Sequence, residues 1–122
     1  MAEPEFAASE FNATGVRIER FLRSLTRAGQ IKIKDGRLEL LTSYGREIDS
    51  APVDSVHASR PWFAARGRAR ATVNGTRYLL TLDQREAAGE LETGTARRFL
   101  DAVRTAHARE TREAQDSRGI RG

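Results

Sequence analysis

The sequence predicts a mainly antiparallel β domain completed by amphipathic helix. Three observations carry this: an Asp-Gly and an Asn-Gly dipeptide, each between alternating apolar runs, and one apolar stripe at helical spacing near the C-terminus. The chain has 122 residues, enough for one domain with a modest core.

The first 15 residues carry Glu3, Glu5 and Glu10 with no base, and are otherwise rich in small side chains. They predict a loose acidic lead, with a single domain over residues 16–114 and a second loose segment over 115–122. From Val16 to Ala28, the positions Ile18, Phe21, Leu22 and Leu25 follow helical spacing, and Gly29 stands where a helix would stop. A short N-terminal amphipathic helix is expected here, with Arg17, Arg20, Arg23 and Arg27 on its polar face.

The run IKIKDGRLEL is a hairpin signal. With Asp35-Gly36 as a two-residue loop, Ile33 faces Leu38 and Ile31 faces Leu40 on one side. Lys32 then faces Glu39, and Lys34 faces Arg37. Short strands follow around Arg46–Ile48 and Asp54–Ala58, separated by Pro52.

The second hairpin is RGRARATVNGTRYLLTL, with Asn74-Gly75 as its loop. Val73 then opposes Thr76, Ala71 opposes Tyr78, and Ala69 opposes Leu80, small against large on an inner face. Arg66, Arg68, Arg70 and Arg77 fall on the outer face. A polar segment over 83–92 leads to a C-terminal helix capped by Thr93 or Thr95, whose stripe is Phe99, Leu100, Val103 and Ala106.

Gly36-Arg37-Leu38-Glu39-Leu40, Gly45-Arg46-Glu47-Ile48, Pro52-Val53-Asp54-Ser55-Val56 and Gly75-Thr76-Arg77-Tyr78-Leu79-Leu80 together resemble the bacterial pleckstrin-homology-like and GRAM-like domains. The resemblance covers roughly residues 30–108 and rests on turns and alternation. It implies an open barrel of two near-orthogonal antiparallel sheets, capped by the C-terminal helix. Two departures stand out. Residues 83–92 intervene before the helix, and the readable strands are one short of the seven usual in that fold, placing the missing one near Arg60–Ala65 or in the N-terminal region. Eukaryotic relatives include phosphoinositide binders with a basic pattern on the first two strands. Lys32, Lys34 and Arg37 match that pattern in part, with Asp35 and Glu39 among them.

Formal net charge is +4, and from Ser55 to Leu82 there are five arginines and no carboxylate. An anionic partner is therefore plausible on electrostatic grounds. The chain has no cysteine, which removes disulfides and thiolate metal sites and is compatible with a reducing cytoplasm. No apolar run approaches the ~18 residues that span a bilayer. The N-terminus has neither the basic nor the apolar region of a secretory signal.

His57 and His107 are the only histidines, and no serine sits in a Gly-x-Ser-x-Gly turn, so the sequence predicts no catalysis, no metal and no cofactor. The candidate binding residues are Arg60, Trp62, Phe63, Arg66, Arg68, Arg70 and Arg77. The expected function is a cytoplasmic, non-catalytic binding module for a protein partner or a second copy of itself. Attachment to anionic membrane lipid through Arg60, Trp62, Phe63 and Arg66 is the alternative, and nucleic-acid binding through the arginine face is a third.

Overall fold

The computed structural model describes residues 10–21, 23–60, 66–89 and 94–121, with side chains of the last helix described to residue 108. The described residues form seven strands: β1 (Phe11–Arg20), β2 (Arg23–Lys34), β3 (Arg37–Leu41), β4 (Glu47–Pro52), β5 (His57–Ser59), β6 (Arg68–Val73) and β7 (Thr76–Thr81). A 3-10 turn over Val53–Ser55 precedes β5. Two helices follow, the short α1 (Gln84–Ala87) and the long α2 (Thr95–Arg121).

The strands form one antiparallel sheet in the order β4-β3-β2-β1-β7-β6-β5. Its two halves are joined where the end of β1 pairs with β7, from Arg17 to Glu19. The sheet is curled: from the β6–β7 turn, the Asn74 amide donates at 2.8 Å to Asp49 Oδ1 and at 2.8 Å to the Ser50 carbonyl on β4. A seven-stranded antiparallel sheet with a C-terminal helix is consistent with the pleckstrin-homology-like fold that the sequence resembles.

Both predicted hairpins have the expected register at every paired position from Ile31–Leu40 to Lys34–Arg37 and from Ala69–Leu80 to Val73–Thr76. Asp35 and Gly36 have φ of 54° and 75°, and Asn74 and Gly75 have 51° and 80°, as a type I′ turn demands. Ile31, Ile33, Leu38, Leu40, Ala69, Ala71, Val73 and Leu80 are all buried, and Phe99 of α2 seals the core fully.

The expected N-terminal helix over residues 16–28 does not form. That segment is the end of β1, a turn, and the first half of β2. The seventh strand is therefore in the N-terminal region. Ile18 is fully buried but Phe21 is 90% exposed, so the apparent helical stripe never shared a face. A bulge explains the misreading. Gly15, at φ 67°, sits at a register shift between Thr14 and Val16, which puts Ala13 and Val16 inside three residues apart. Gly29 is not a helix stop. A Cβ there would lie 2.4 Å from the Leu41 carbonyl oxygen, so the residue permits close passage of β2 against β3.

β1 already begins at Phe11. Phe11 packs edge-on against Phe99, with ring centroids 5.6 Å apart. At the other end, the backbone of α2 continues to Arg121, past residue 115. The intervening run Arg109-Glu110-Thr111-Arg112-Glu113-Ala114-Gln115 is composed largely of good helix formers. Between β4 and β5 the expected strand over Asp54–Ala58 is shortened, because the 3-10 turn takes up residues 53–55.

His107 holds that turn against α2. Its Nε2 lies 2.7 Å from the Val56 carbonyl oxygen and 3.2 Å from that of Val53, so Nε2 carries the proton and donates to both. The half-buried imidazole is thus a structural donor.

Candidate functional site

Cross-strand register builds an arginine-lined surface on the outer face of the sheet. Alternation on β6 and β7 sends Ala69, Ala71, Val73, Tyr78 and Leu80 inward, and Arg68, Arg70 and Arg77 outward. β1 then adds a third strand beside β7. Arg17 is opposite Thr81, which is opposite Arg68. Glu19 is opposite Leu79, which is opposite Arg70. Two rows therefore cross the outer face, one flanked by guanidiniums on both sides and one pairing an acid with a base.

Thr81 is only 4% exposed although it belongs to this outer face. Arginine stems on either side cover such a position while their charged heads stay at the surface. The Nε atoms of both Arg17 and Arg68 are buried without a hydrogen-bond partner. Arg17 reaches Glu19 only loosely, with Nη2 3.8 Å from Oε2. Two arginines one strand apart on either side of a threonine present donors to an oxyanion, and guanidinium is the group best suited to grip a carboxylate in two places.

The structure divides the residues predicted from sequence. Arg68, Arg70 and Arg77 share this face. Arg60 and Arg66 instead line a separate pocket of about 610 Å³ between the start of β6, α1 and the start of α2, where Arg97 joins them. Trp62 and Phe63 lie outside the described residues. Arg17, Glu19, Arg97 and Glu86 were not predicted. Arg17 and Glu19 alternate with Val16 and Ile18, a strand signal hidden by the helical spacing around it.

A second surface feature lies at the β1–β2 turn. Among the described residues, Phe21 and Tyr44 are the large apolar side chains left exposed, at 90% and 96%. Phe21 has φ 53°, a conformation bulky side chains rarely adopt, and the Arg20 guanidinium stands 5.9 Å from its ring centroid. Among the described residues no group of histidine and carboxylate side chains could hold a metal, and no helix is long and apolar enough to cross a membrane.

Neither a protein-family model nor a curated protein sequence matches the chain. Among solved structures it is similar to the tandem PX-PH domains of Bem3 from Saccharomyces cerevisiae, at 14% identity and a TM-score of 0.45. The similarity covers 63% of this chain and 37% of that one, so the chain spans little more than a third of the Bem3 structure.

Proposed function

We propose that this chain is a non-catalytic binding module that docks an acidic protein surface on the outer face of β1, β7 and β6. The observation that supports this is the Arg17–Thr81–Arg68 row, where two guanidinium Nε groups are buried without an acceptor. A carboxylate from a partner pairs with the guanidinium heads that this row keeps at the surface and relieves the repulsion between like charges. A protein fits this face better than a nucleic acid does. Glu19 opposes a polyphosphate backbone, while half-buried Leu79 between Glu19 and Arg70 offers apolar contact.

The test uses poly-glutamate, duplex DNA and anionic vesicles as probes of the full chain. Poly-glutamate binding is expected to weaken with salt and to fall about tenfold in Arg68→Ala/Arg70→Ala. Stronger binding to duplex DNA than to poly-glutamate, or no loss in the double variant, overturns the reading. Light scattering on the same samples tells whether the acidic partner is a second copy.

A second reading has one observation in its favour. Phe21, exposed beside Arg20 and Arg23, suits the boundary of an anionic membrane. This moves the proposed lipid contact from Arg60–Arg66 to the β1–β2 turn. Vesicle sedimentation that is unchanged in Phe21→Ser removes it.

A further inference from the structure

Glu86 is a charged residue in a largely buried position. It is 7% exposed, and its Oε1 is buried with no hydrogen-bond partner. A carboxylate oxygen so placed is disfavoured unless something else compensates it. Its spacing from Asp83 is that of a capping box, and Asp83 performs its half: Oδ1 accepts from the N–H groups of Arg85 and Glu86, each at 3.0 Å. Glu86 does not return the bond. The Asp83 N–H points instead to the Gly67 carbonyl, 3.4 Å away. The carboxylate is therefore not committed to holding α1.

It lines the pocket of about 610 Å³ described above, together with Gly67, Arg60, Arg97 and the first residues of α2. Gly67 makes this possible. A Cβ there would lie 2.7 Å from the Asp83 carbonyl oxygen and 3.3 Å from Glu86 Cβ, so only glycine lets α1 sit this close to the start of β6. The other charged residues of the lining, Arg60, Arg66 and Arg97, are cationic. Arg60 and Arg97 are exposed, and Gly94 and Ala96 at the start of α2 also line the pocket, bringing the positive end of the helix dipole to it.

A simple anion satisfies the arginines and aggravates Glu86, and a simple cation does the reverse. A molecule carrying both charges satisfies both. We infer that this pocket binds a small amino-acid-type zwitterion. Its ammonium group sits against Glu86, and its acid group faces Arg60, Arg97 and the start of α2. The volume falls within the roughly 300–1,000 Å³ of small-molecule sites. Free α-amino acids and the ethanolamine phosphate headgroup share this chemistry.

The experiment titrates the full chain with glycine, ethanolamine phosphate, acetate and ethylamine, following the Gly67 and Gly94 amide resonances. At least one zwitterion is expected to shift both amides saturably, with acetate and ethylamine about tenfold weaker or worse. The tighter of glycine and ethanolamine phosphate identifies the source. Glu86→Gln keeps the shape and is expected to weaken the zwitterion about tenfold while leaving acetate unweakened. Arg97→Ala, at an exposed position, is expected to weaken the zwitterion and acetate alike. The inference is overturned if neither zwitterion saturates below roughly 10 mM. It is also overturned if acetate or ethylamine binds equally well, or if a folded Glu86→Gln or Arg97→Ala chain binds the zwitterion as the parent does.

Discussion

The Tyr78 hydroxyl donates to Asp49 Oδ2 at 2.7 Å, joining β7 to β4 across the curl of the sheet. The same carboxylate accepts from the Asn74 amide at 2.8 Å and from the Ser50 N–H at 2.9 Å, both on Oδ1. Tyr78→Phe removes one of these donors and leaves Asp49 in place. Urea unfolding should show a loss of about 1.5–3 kcal/mol at neutral pH, the range for a hydrogen bond to a charged group.

That bond also gives stability a pH dependence. Burial, and then the hydrogen bond to Asp49, push the Tyr78 hydroxyl up from 10.0 to about 12. The folded protein therefore holds this proton more tightly than the unfolded chain. The stabilisation is fully present below pH 10.0 and is lost as pH rises through about 12. The stability difference between the parent and Tyr78→Phe should shrink across that window. Tyrosinate absorbance should show a late phase near its top that disappears in Tyr78→Phe.

Gly29→Ala should destabilise strongly although Gly29 needs no positive φ. Its added Cβ meets the Leu41 carbonyl oxygen at 2.4 Å and Thr26 Cγ2 at 2.6 Å. The first of these is backbone and cannot rotate away. A loss of about 2–3 kcal/mol, read from the urea midpoint, is expected for such overpacking.

Phe99→Ala opens a cavity where a fully buried ring meets Phe11. The expected loss is about 3–5 kcal/mol. Phe99→Leu, which fills more of the space, should recover much of it.

His107→Ala leaves the Val56 carbonyl without its 2.7 Å donor, while the Val53 carbonyl keeps the Val56 N–H. The expected cost is about 1–3 kcal/mol. Amide exchange should rise first in Val56 and β5, because the helix loses its hold on the 3-10 turn there.

The hairpins were legible because two independent local signals agreed in each. The Asp35-Gly36 and Asn74-Gly75 turns set a register, and alternation confirmed it, so Arg68, Arg70 and Arg77 could be placed on one face. β1 was not legible. The Gly15 bulge shifts the inward phase between Ala13 and Val16, and the remaining apolar residues imitate helical spacing. Arg17 reaches the arginine face only through pairing with Thr81, a distant contact that leaves no trace in neighbouring residues. Glu86 was missed for a related reason. Its capping-box spacing suggests an ordinary helix start, and only the tertiary approach of Gly67 turns it toward a pocket.

The β1–β7 pairing also bears on how the chain is made. Arg17 finds its partner only when Thr81 has been synthesised, so β1 and β2 wait as an incomplete ribbon while most of the domain emerges. Contacts so far apart in sequence slow folding, because the loop must close before the pairing repays it. Until then β1 presents an unpaired edge of its own, and a nascent chain halted before Leu79 would offer that edge to any strand nearby.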